Sequence, residues 1–412
     1  MPSAVLAAAF LVAGCGDKPE PKAVATPSAT PSPTATPRPA TEPVEFGGDL
    51  AIGITEPNPA FVHPTRGIPP EFEAGRKALQ RMKPAYYRLV VDWPSLAQDL
   101  GAPRGGCMRD IPPCAPYNSL TDQLAAIAAA QQATDEDHWQ VMVVVTGTPD
   151  ALARPAGGCE RAGAQARSRT PTAAGIDAYR TLLRNVQSAA DAAGAKLRYW
   201  SPWNEPNHPF GISPQRVRCK ESAKSAAVER YTELARAMKP ELRRGQELVL
   251  GELAGLLQQK SSYTSVQEFI KKLPRDVVCS GRIFGQHGYV GGPDPVDEVV
   301  RALGRFDCPK THEIWITETG VGAPRLGEDR ADSAKALVRA CRNIRKRLRT
   351  WHDDPRVTAA FQYTLREDDR FPTGLISVGL DRRYPALKEW IAWGGDRAPT
   401  AEPPPSTCAG KS

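Results

Sequence analysis

Two runs of sequence determine the architecture of this chain: Tyr-Trp-Ser-Pro-Trp-Asn-Glu-Pro-Asn at residues 199–207 and Ile-Trp-Ile-Thr-Glu-Thr-Gly at residues 314–320. Each run is apolar and rich in aromatic or β-branched residues, which predicts a buried strand. Each reaches a glutamate, Glu205 or Glu318, and Pro or Gly follows within two residues and ends the strand. Because the two glutamates come from distant parts of the chain, only a fold that gathers many strand ends could bring them together.

Six further segments have the same strand-like composition, and amphipathic helical patterns separate them. The spacing of Ile176, Tyr179, Leu183 and Val186, for example, places these side chains on one face of a helix. Eight strands that alternate with helices predict an α/β fold, namely a single (β/α)8 TIM barrel. The predicted strands are residues 49–54, 85–92, 140–146, 196–203, 247–252, 282–287, 313–318 and 357–363.

The alternation of side chains in a strand predicts how the seventh strand is oriented. Ile314, Ile316 and Glu318 share one face, so we expect the two isoleucines to fill the barrel and Glu318 to emerge at its mouth. Trp315 and Thr317 would then face the surrounding helices.

The N-terminus predicts export from the cytoplasm. Residues 4–13 are apolar but too few to span a membrane, and they end in Val-Ala-Gly-Cys at residues 12–15, which resembles the bacterial lipobox. The resemblance implies that Cys15 becomes the lipidated first residue of the mature protein. Because no Lys or Arg precedes the apolar stretch, an ordinary secretory signal is the alternative.

Composition divides the chain into four predicted segments. A lipoprotein signal at residues 1–15 is followed by a Pro, Thr and Ala-rich tether at residues 16–46, which cannot bury a core. The barrel occupies residues 47–396, and a Pro-rich tail occupies residues 397–412. The protein is therefore expected outside the cytoplasm, held to a membrane by Cys15 or secreted.

Cysteine usage agrees with export. Removing Cys15 from the nine cysteines leaves eight, and an even number in an exported protein predicts disulfides. Only Cys107 and Cys114 are close enough in sequence to predict a pair, and Cys408 could pin the tail to the barrel. The remaining connectivity stays open.

The chain is mildly basic, with a net charge of +7. No basic stripe is interleaved with aromatic residues, so we expect no nucleic-acid partner. The densest basic run, residues 342–349, shares a helix with apolar residues. It is predicted to be a solvated helix face, with an anionic envelope partner as the alternative.

We expect the protein to be a monomer.

The sequence around the two glutamates resembles the retaining glycoside hydrolases of clan A, with features of families 5 and 39. The resemblance rests on Trp-Asn-Glu-Pro-Asn at residues 203–207, at the fourth strand, and Ile-Thr-Glu at residues 316–318, at the seventh. It implies cleavage of O-glycosidic bonds in an oligo- or polysaccharide by double displacement. Glu205 would be the acid/base and Glu318 the nucleophile, while Asn204 would bind the sugar hydroxyl next to the reacting carbon.

The same resemblance implies supporting residues at other strand ends. Arg88 matches the second-strand arginine of the clan and would orient the nucleophile, although a buried structural ion pair is the alternative. His287 and Tyr289 match the sixth-strand His-x-Tyr. The tyrosine would bond the nucleophile, and the histidine would touch substrate or the acid/base. His208 would contact substrate or cap its loop.

Other substrate-binding candidates come from the aromatic and polar residues at strand ends. Trp93 and Trp203 are predicted to stack on sugar faces, with core packing as the alternative. Gln362 and Tyr363 lie at the end of the eighth strand, where family 5 usually has tryptophan, and are predicted to bind substrate. Glu252 ends the fifth strand and would contact substrate or lie at the surface.

No metal or cofactor is expected, because the sequence has no His-x-x-x-His, acidic loop or glycine-rich phosphate cradle. Two carboxylates suffice for glycosyl transfer to water. Two other functions remain open at this point, a non-catalytic carbohydrate-binding barrel of the cell envelope and a transglycosylase that uses the same site. The sugar, its anomeric configuration and the choice between chain ends and interior bonds are also open.

Overall fold

The computed structural model describes residues 50–63, 70–96, 100, 119–135, 137–160, 164–322, 329–368, 371–395 and 402–408. Within this part of the chain, eight parallel strands pair in chain order and close into a barrel, because the first strand pairs with both the second and the eighth. The predicted TIM barrel is confirmed. The strands are β1 (Ala51–Thr55), β2 (Tyr86–Asp92), β3 (Gln140–Thr146), β4 (Leu197–Ser201), β5 (Glu247–Leu253), β6 (Ile283–His287), β7 (Glu313–Thr319) and β8 (Val357–Tyr363).

Helices surround the barrel, and polar caps mark where several of them begin. Thr172 caps α5 by accepting a hydrogen bond from the backbone of Gly175, and Gly194 ends this helix in the left-handed conformation with φ 77°. The helices are α1 (Pro59–Val62), α2 (Pro70–Met82), α3 (Trp93–Leu96), α4 (Leu120–Gln132), α5 (Ala173–Ala193), α6 (Ala226–Met238), α7 (Val266–Lys272), α8 (Arg275–Val278), α9 (Val296–Leu303), α10 (Ala334–His352) and α11 (Pro385–Trp393). No described helix is both long enough and apolar enough to cross a membrane.

The barrel interior is a packed layer of side chains that is separate from the core between strands and helices. Gly53 of β1 faces this layer, where an added Cβ would lie 2.3 Å from the ring of Phe361. Because side chains fill the interior, polar side chains gather at the end of the barrel where the strands have their C-termini. The interior residues are Tyr86, Met142, Tyr199, Val249, Ile283, Trp315, Ala359 and Phe361.

The predicted orientation of β7 is wrong. Trp315 belongs to the barrel interior, whereas Ile314 and Ile316 pack in the core beneath the helices. The prediction assumed strict alternation up to Glu318. The register of β7 against β8 instead shifts between Ile316 and Thr319, and such an irregularity re-aims the side chains that follow it. Glu318 therefore reaches the barrel mouth although Trp315, three residues earlier, fills the interior.

Three disulfides join described residues, as expected for a protein that matures in an oxidising compartment. The Cys341–Cys408 bridge ties the tail to α10, which confirms that Cys408 pins it. The other two bridges are Cys159–Cys219 and Cys279–Cys308. Cys15, the predicted Cys107–Cys114 pair, the signal and the tether lie outside the described residues.

Candidate active site

Glu205 and Glu318 meet at the C-terminal end of the barrel. Glu318 lies in β7, and Glu205 follows the end of β4 by four residues. Three atoms lie within 4.8 Å of one another: one carboxylate oxygen of Glu205, one of Glu318 and a ring nitrogen of His287. The Glu205 side chain is 26% exposed and that of Glu318 is 9% exposed, so solvent reaches the pair mainly beside Glu205.

The backbone around Glu205 is held by contacts from neighbouring strands. Glu205 has a φ of 45°, a left-handed conformation that costs a non-glycine residue about 1–2 kcal/mol. Its N–H donates to the carbonyl oxygen of Glu252 at 2.9 Å, and the N–H of Asn204 donates to that of Val145 at 3.1 Å. Gly211 packs directly on this turn, where an added Cβ would lie 2.1 Å from the carbonyl oxygen of Glu205. The turn therefore needs glycine at position 211.

Two groups hold the carboxylate of Glu318. Arg88 places Nη1 2.8 Å from Oε1, and the Tyr289 hydroxyl donates to Oε2 at 2.7 Å. Burial and the neighbouring Glu318 raise the pKa of Tyr289 well above its usual value, so the phenol remains a neutral donor. The two contacts fix both oxygens of Glu318 in place.

His287 lies among three carboxylates. Its Nδ1 is 3.0 Å from Oε1 of Glu205 and 3.4 Å from Oε2 of Glu318, while its Nε2 is 3.7 Å from Oε2 of Glu252. Burial lowers the pKa of His287, but the three carboxylates outweigh burial and raise it to about 10. The ring is therefore an imidazolium at neutral pH. Burial raises the pKa of Glu205, yet the hydrogen bond and charge of His287 bring it below its usual value.

Arg88 joins the remaining polar groups of the site. Its Nη2 donates to Oδ1 of Asn204 at 2.7 Å and to Oε2 of Glu252 at 2.6 Å. Arg88 is therefore a buried ion-pair partner of Glu252, as the structural alternative predicted, and it also contacts Glu318. The contact with Asn204 fixes the orientation of the Asn204 amide.

Three predicted substrate-binding residues are buried and do not face the barrel mouth. Trp93 is buried between strands and helices and packs against the ring of Tyr179, with centroids 5.8 Å apart. Trp203 is buried in the same core, and its indole N–H donates to the carbonyl of Gly211. Neither ring can stack on a sugar. Gln362 points away from the barrel interior and donates to the carbonyl of Thr373, because Phe361 takes the inward position beside it.

Aromatic side chains flank both carboxylates. Tyr363, a predicted site residue, is partly exposed, and its ring contacts those of Tyr289 and Phe371 at centroid distances of 6.5 and 5.9 Å. On the other side, the partly exposed His208 contacts Phe210, with centroids 4.9 Å apart, and Phe210 is 58% exposed. Sequence reasoning missed Phe210, although its place five residues after Glu205 was a usable signal.

The donor set of the site suits proton transfer better than binding of a metal ion. Glu205, His287 and Glu318 have the mutual spacing of metal ligands. However, Arg88 and Tyr289 already engage the two oxygens of Glu318, and the charge of His287 opposes a further cation. The second described group with such spacing contains Cys341 and Cys408, which are joined in a disulfide.

No protein-family model matches the sequence, and the comparison with curated proteins found no match. Solved structures are similar to it in fold. A GH30 endoxylanase from Clostridium papyrosolvens C71 has a TM-score of 0.51 at 11% identity over 86% of this chain and 74% of its own. SrfJ from Salmonella typhimurium has 0.52 at 12% identity over 84% and 74%.

A GH39 β-xylosidase from Caulobacter crescentus has a TM-score of 0.50 at 15% identity over 86% of this chain and 72% of its own. At such low sequence identity these similarities concern the fold. The chain therefore shares its barrel with solved glycoside hydrolases of families 30 and 39.

Proposed function

We propose that this protein is a retaining glycoside hydrolase that cleaves O-glycosidic bonds of an oligo- or polysaccharide. The observation that carries the proposal is the approach of Glu205 and Glu318 at the barrel mouth, with carboxylate oxygens within 4.8 Å of one another. Retaining glycosidases separate their carboxyls by about 5–5.5 Å, whereas inverting enzymes leave about 6.5–9.5 Å for a water molecule. One oxygen of each carboxylate lies within 4.8 Å of the other, which is compatible with the retaining spacing, and we propose retention on this basis.

In this mechanism Glu318 attacks the anomeric carbon while protonated Glu205 gives its proton to the leaving oxygen. The products of this step are the leaving alcohol and a covalent glycosyl ester of Glu318. Glu205, now ionised, takes a proton from water, and the resulting hydroxyl displaces Glu318 from the sugar. Arg88 and Tyr289 hold the carboxylate of Glu318 in line for attack in the first step. In the second step the carboxylate is released from the sugar, and the same two groups stabilise its negative charge.

Substrate contacts follow from the groups around the pair. Asn204 lies beside Glu205 with its oxygen held by Arg88, and is proposed to bind the hydroxyl next to the reacting carbon. Tyr363 lies on the side of Tyr289 and Glu318, and His208 and Phe210 on the side of Glu205. Because Glu205 protonates the leaving oxygen, His208 and Phe210 would meet the leaving-group sugar.

The experiment that tests the proposal is hydrolysis of a panel of nitrophenyl glycosides, followed by NMR of the first sugar released. The panel includes β-xylosides, because two solved structures of similar fold are a xylanase and a xylosidase. Net retention at the anomeric carbon is expected. An inverted first product, or no turnover on any member of the panel or on polysaccharides, contradicts the proposal.

Variants assign the two carboxylates. Glu318→Ala should lose nearly all turnover, and azide should partly restore it as a glycosyl azide of inverted configuration. Glu205→Ala should still form the intermediate from substrates with good leaving groups, and azide should speed its breakdown with retained configuration. The opposite stereochemistry in the two variants would exchange the roles.

The proposal also covers where the protein is located and its oligomeric state. Cys15 is proposed to carry a lipid anchor, and residues 16–46 to hold the barrel away from the membrane. The disulfides of the described residues support a place outside the cytoplasm. The enzyme is proposed to act as a monomer.

A further inference from the structure

A third carboxylate, Glu252, lies beneath the proposed catalytic pair and has no role in the mechanism above. It ends up fully buried in β5, with a side-chain exposure of 0%. The two sequence interpretations, substrate contact and a surface position, are therefore both wrong. Its Oε2 accepts hydrogen bonds from Nε and Nη2 of Arg88 at 3.0 and 2.6 Å and lies 3.7 Å from Nε2 of His287.

The backbone at Glu252 is strained. Its φ is 54°, in the left-handed region, where a non-glycine residue is disfavoured by about 1–2 kcal/mol. The register of β5 against β6 shifts between Gly251 and Leu253. Gly285 leaves room for the carboxylate, because a Cβ there would lie 2.8 Å from Oε1 of Glu252. Strained residues of this kind cluster at functional sites.

Both cations of the site lie against Glu252. Arg88 spans Glu252 and Glu318, and His287 spans Glu252, Glu205 and Glu318. Without Glu252, the guanidinium could turn to pair with both oxygens of Glu318, and the imidazolium would lose the partner of its Nε2. The titratable groups around Glu252 come from four strands, two loops and one helix. They are Arg88 (β2), Glu252 itself (β5), His287 (β6), Glu318 (β7), Glu205 (loop after β4), Tyr289 (loop after β6) and Tyr231 (α6).

We propose that Glu252 is a positioning residue that holds Arg88 and His287 in place against Glu318 and Glu205. This inference rests on the proposed glycosidase function, since it concerns the same site. The main-chain bond from the N–H of Glu205 to the carbonyl of Glu252 adds a second link to the acid/base.

The test compares Glu252→Gln with Glu389→Gln, which removes another fully buried carboxylate paired with an arginine, Arg345. Histidine NMR follows the titration of the six histidines, with the His287 signal assigned from its loss in His287→Gln. Wild-type His287 should remain protonated to about pH 9. Glu252→Gln should lower its pKa by one unit or more, and Glu389→Gln should leave it unchanged.

Kinetics supply the second readout. On an aryl glycoside with a poor leaving group, Glu252→Gln should reduce kcat by roughly a hundredfold with KM changed less than about threefold. Unchanged His287 titration together with unchanged kcat would overturn the inference, as would equal effects of Glu389→Gln.

A shorter side chain keeps the test usable if Glu252→Gln does not fold. Glu252→Asp keeps the charge but withdraws the carboxylate from Arg88, so it should lower kcat by roughly tenfold while His287 stays charged; an unchanged kcat would count against positioning. If wild-type protein hydrolyses no glycoside but Glu252→Gln still shifts His287, the proposed function fails and the charge network stands.

Discussion

Nδ1 of His287 lies 3.0 Å from Oε1 of Glu205, so an imidazolium faces the carboxyl group that we propose as acid and base. The pair is partly open to solvent, because a quarter of the Glu205 side chain is exposed. The charge on the histidine therefore controls when Glu205 carries the proton that the first step needs.

The pH profile should report this contact. Because His287 brings the pKa of Glu205 below its usual value, the protonated acid is populated only in the acidic range. The alkaline limb of kcat/KM, which reports the free enzyme, should lie below neutral pH. His287→Gln keeps a donor but removes the charge, so it should move this limb upward by about one pH unit or more. A limb that stays in place contradicts the assignment.

The turn that carries Glu205 should tolerate no side chain at position 211. In Gly211→Ala the new Cβ would meet the carbonyl oxygen of Glu205 at 2.1 Å, so the turn must shift. A displacement of about 1 Å can cost roughly a hundredfold in rate, and we expect such a loss in kcat with the barrel still folded. Gly157→Ala is the control, because nothing lies within 4 Å of its Cβ position. Kinetics with circular dichroism measure both effects, and wild-type kcat in Gly211→Ala would be the contrary result.

Phe210 should contribute to binding of the leaving-group sugar. Its ring is 58% exposed on the loop that carries Glu205, and stacking on a sugar face would bury it. Phe210→Ala should raise KM for oligosaccharides by about three- to tenfold, a cost typical of one lost aromatic contact. Aryl glycosides without that sugar should show no change.

Val217→Ala provides the matched control for Phe210→Ala, since Val217 is another exposed hydrophobic residue, at 44%. Equal KM changes in the two variants, or an equal change for both kinds of substrate, would remove Phe210 from the substrate site.

Anchoring should be separable from catalysis. Wild-type protein should partition with membranes, and Cys15→Ser should abolish labelling by a fatty-acid probe. Deletion of residues 1–46 should preserve kcat and KM, because β1 begins only at Ala51. Membrane fractionation and labelling measure the first effect. Equal release of wild-type and Cys15→Ser protein into the medium would instead indicate a plain secretory signal.

The sequence by itself determined the barrel and the chain positions of its main polar residues. Strand composition is a local property, and the predicted bounds of β3 and β8 coincide with the observed ones. The short motifs around Glu205 and Glu318 are local as well. Once strands are parallel and in order, their C-terminal ends meet, and this brought His287 and Tyr289 to the two glutamates. Arg88 is the third residue of β2 and pairs with Thr55, the last residue of β1.

Tertiary structure decided which way the side chains point. The register shift in β7 places Trp315 in the interior, and the phase of β8 turns Gln362 away from the site. Strand registers depend on pairing between distant segments, so the local pattern of one strand could not reveal them. The burial of Trp93 and Trp203 depends in the same way on packing against helices. The charge partners of Glu252 could not be predicted from the sequence either, because Arg88 and His287 approach it only when the barrel closes.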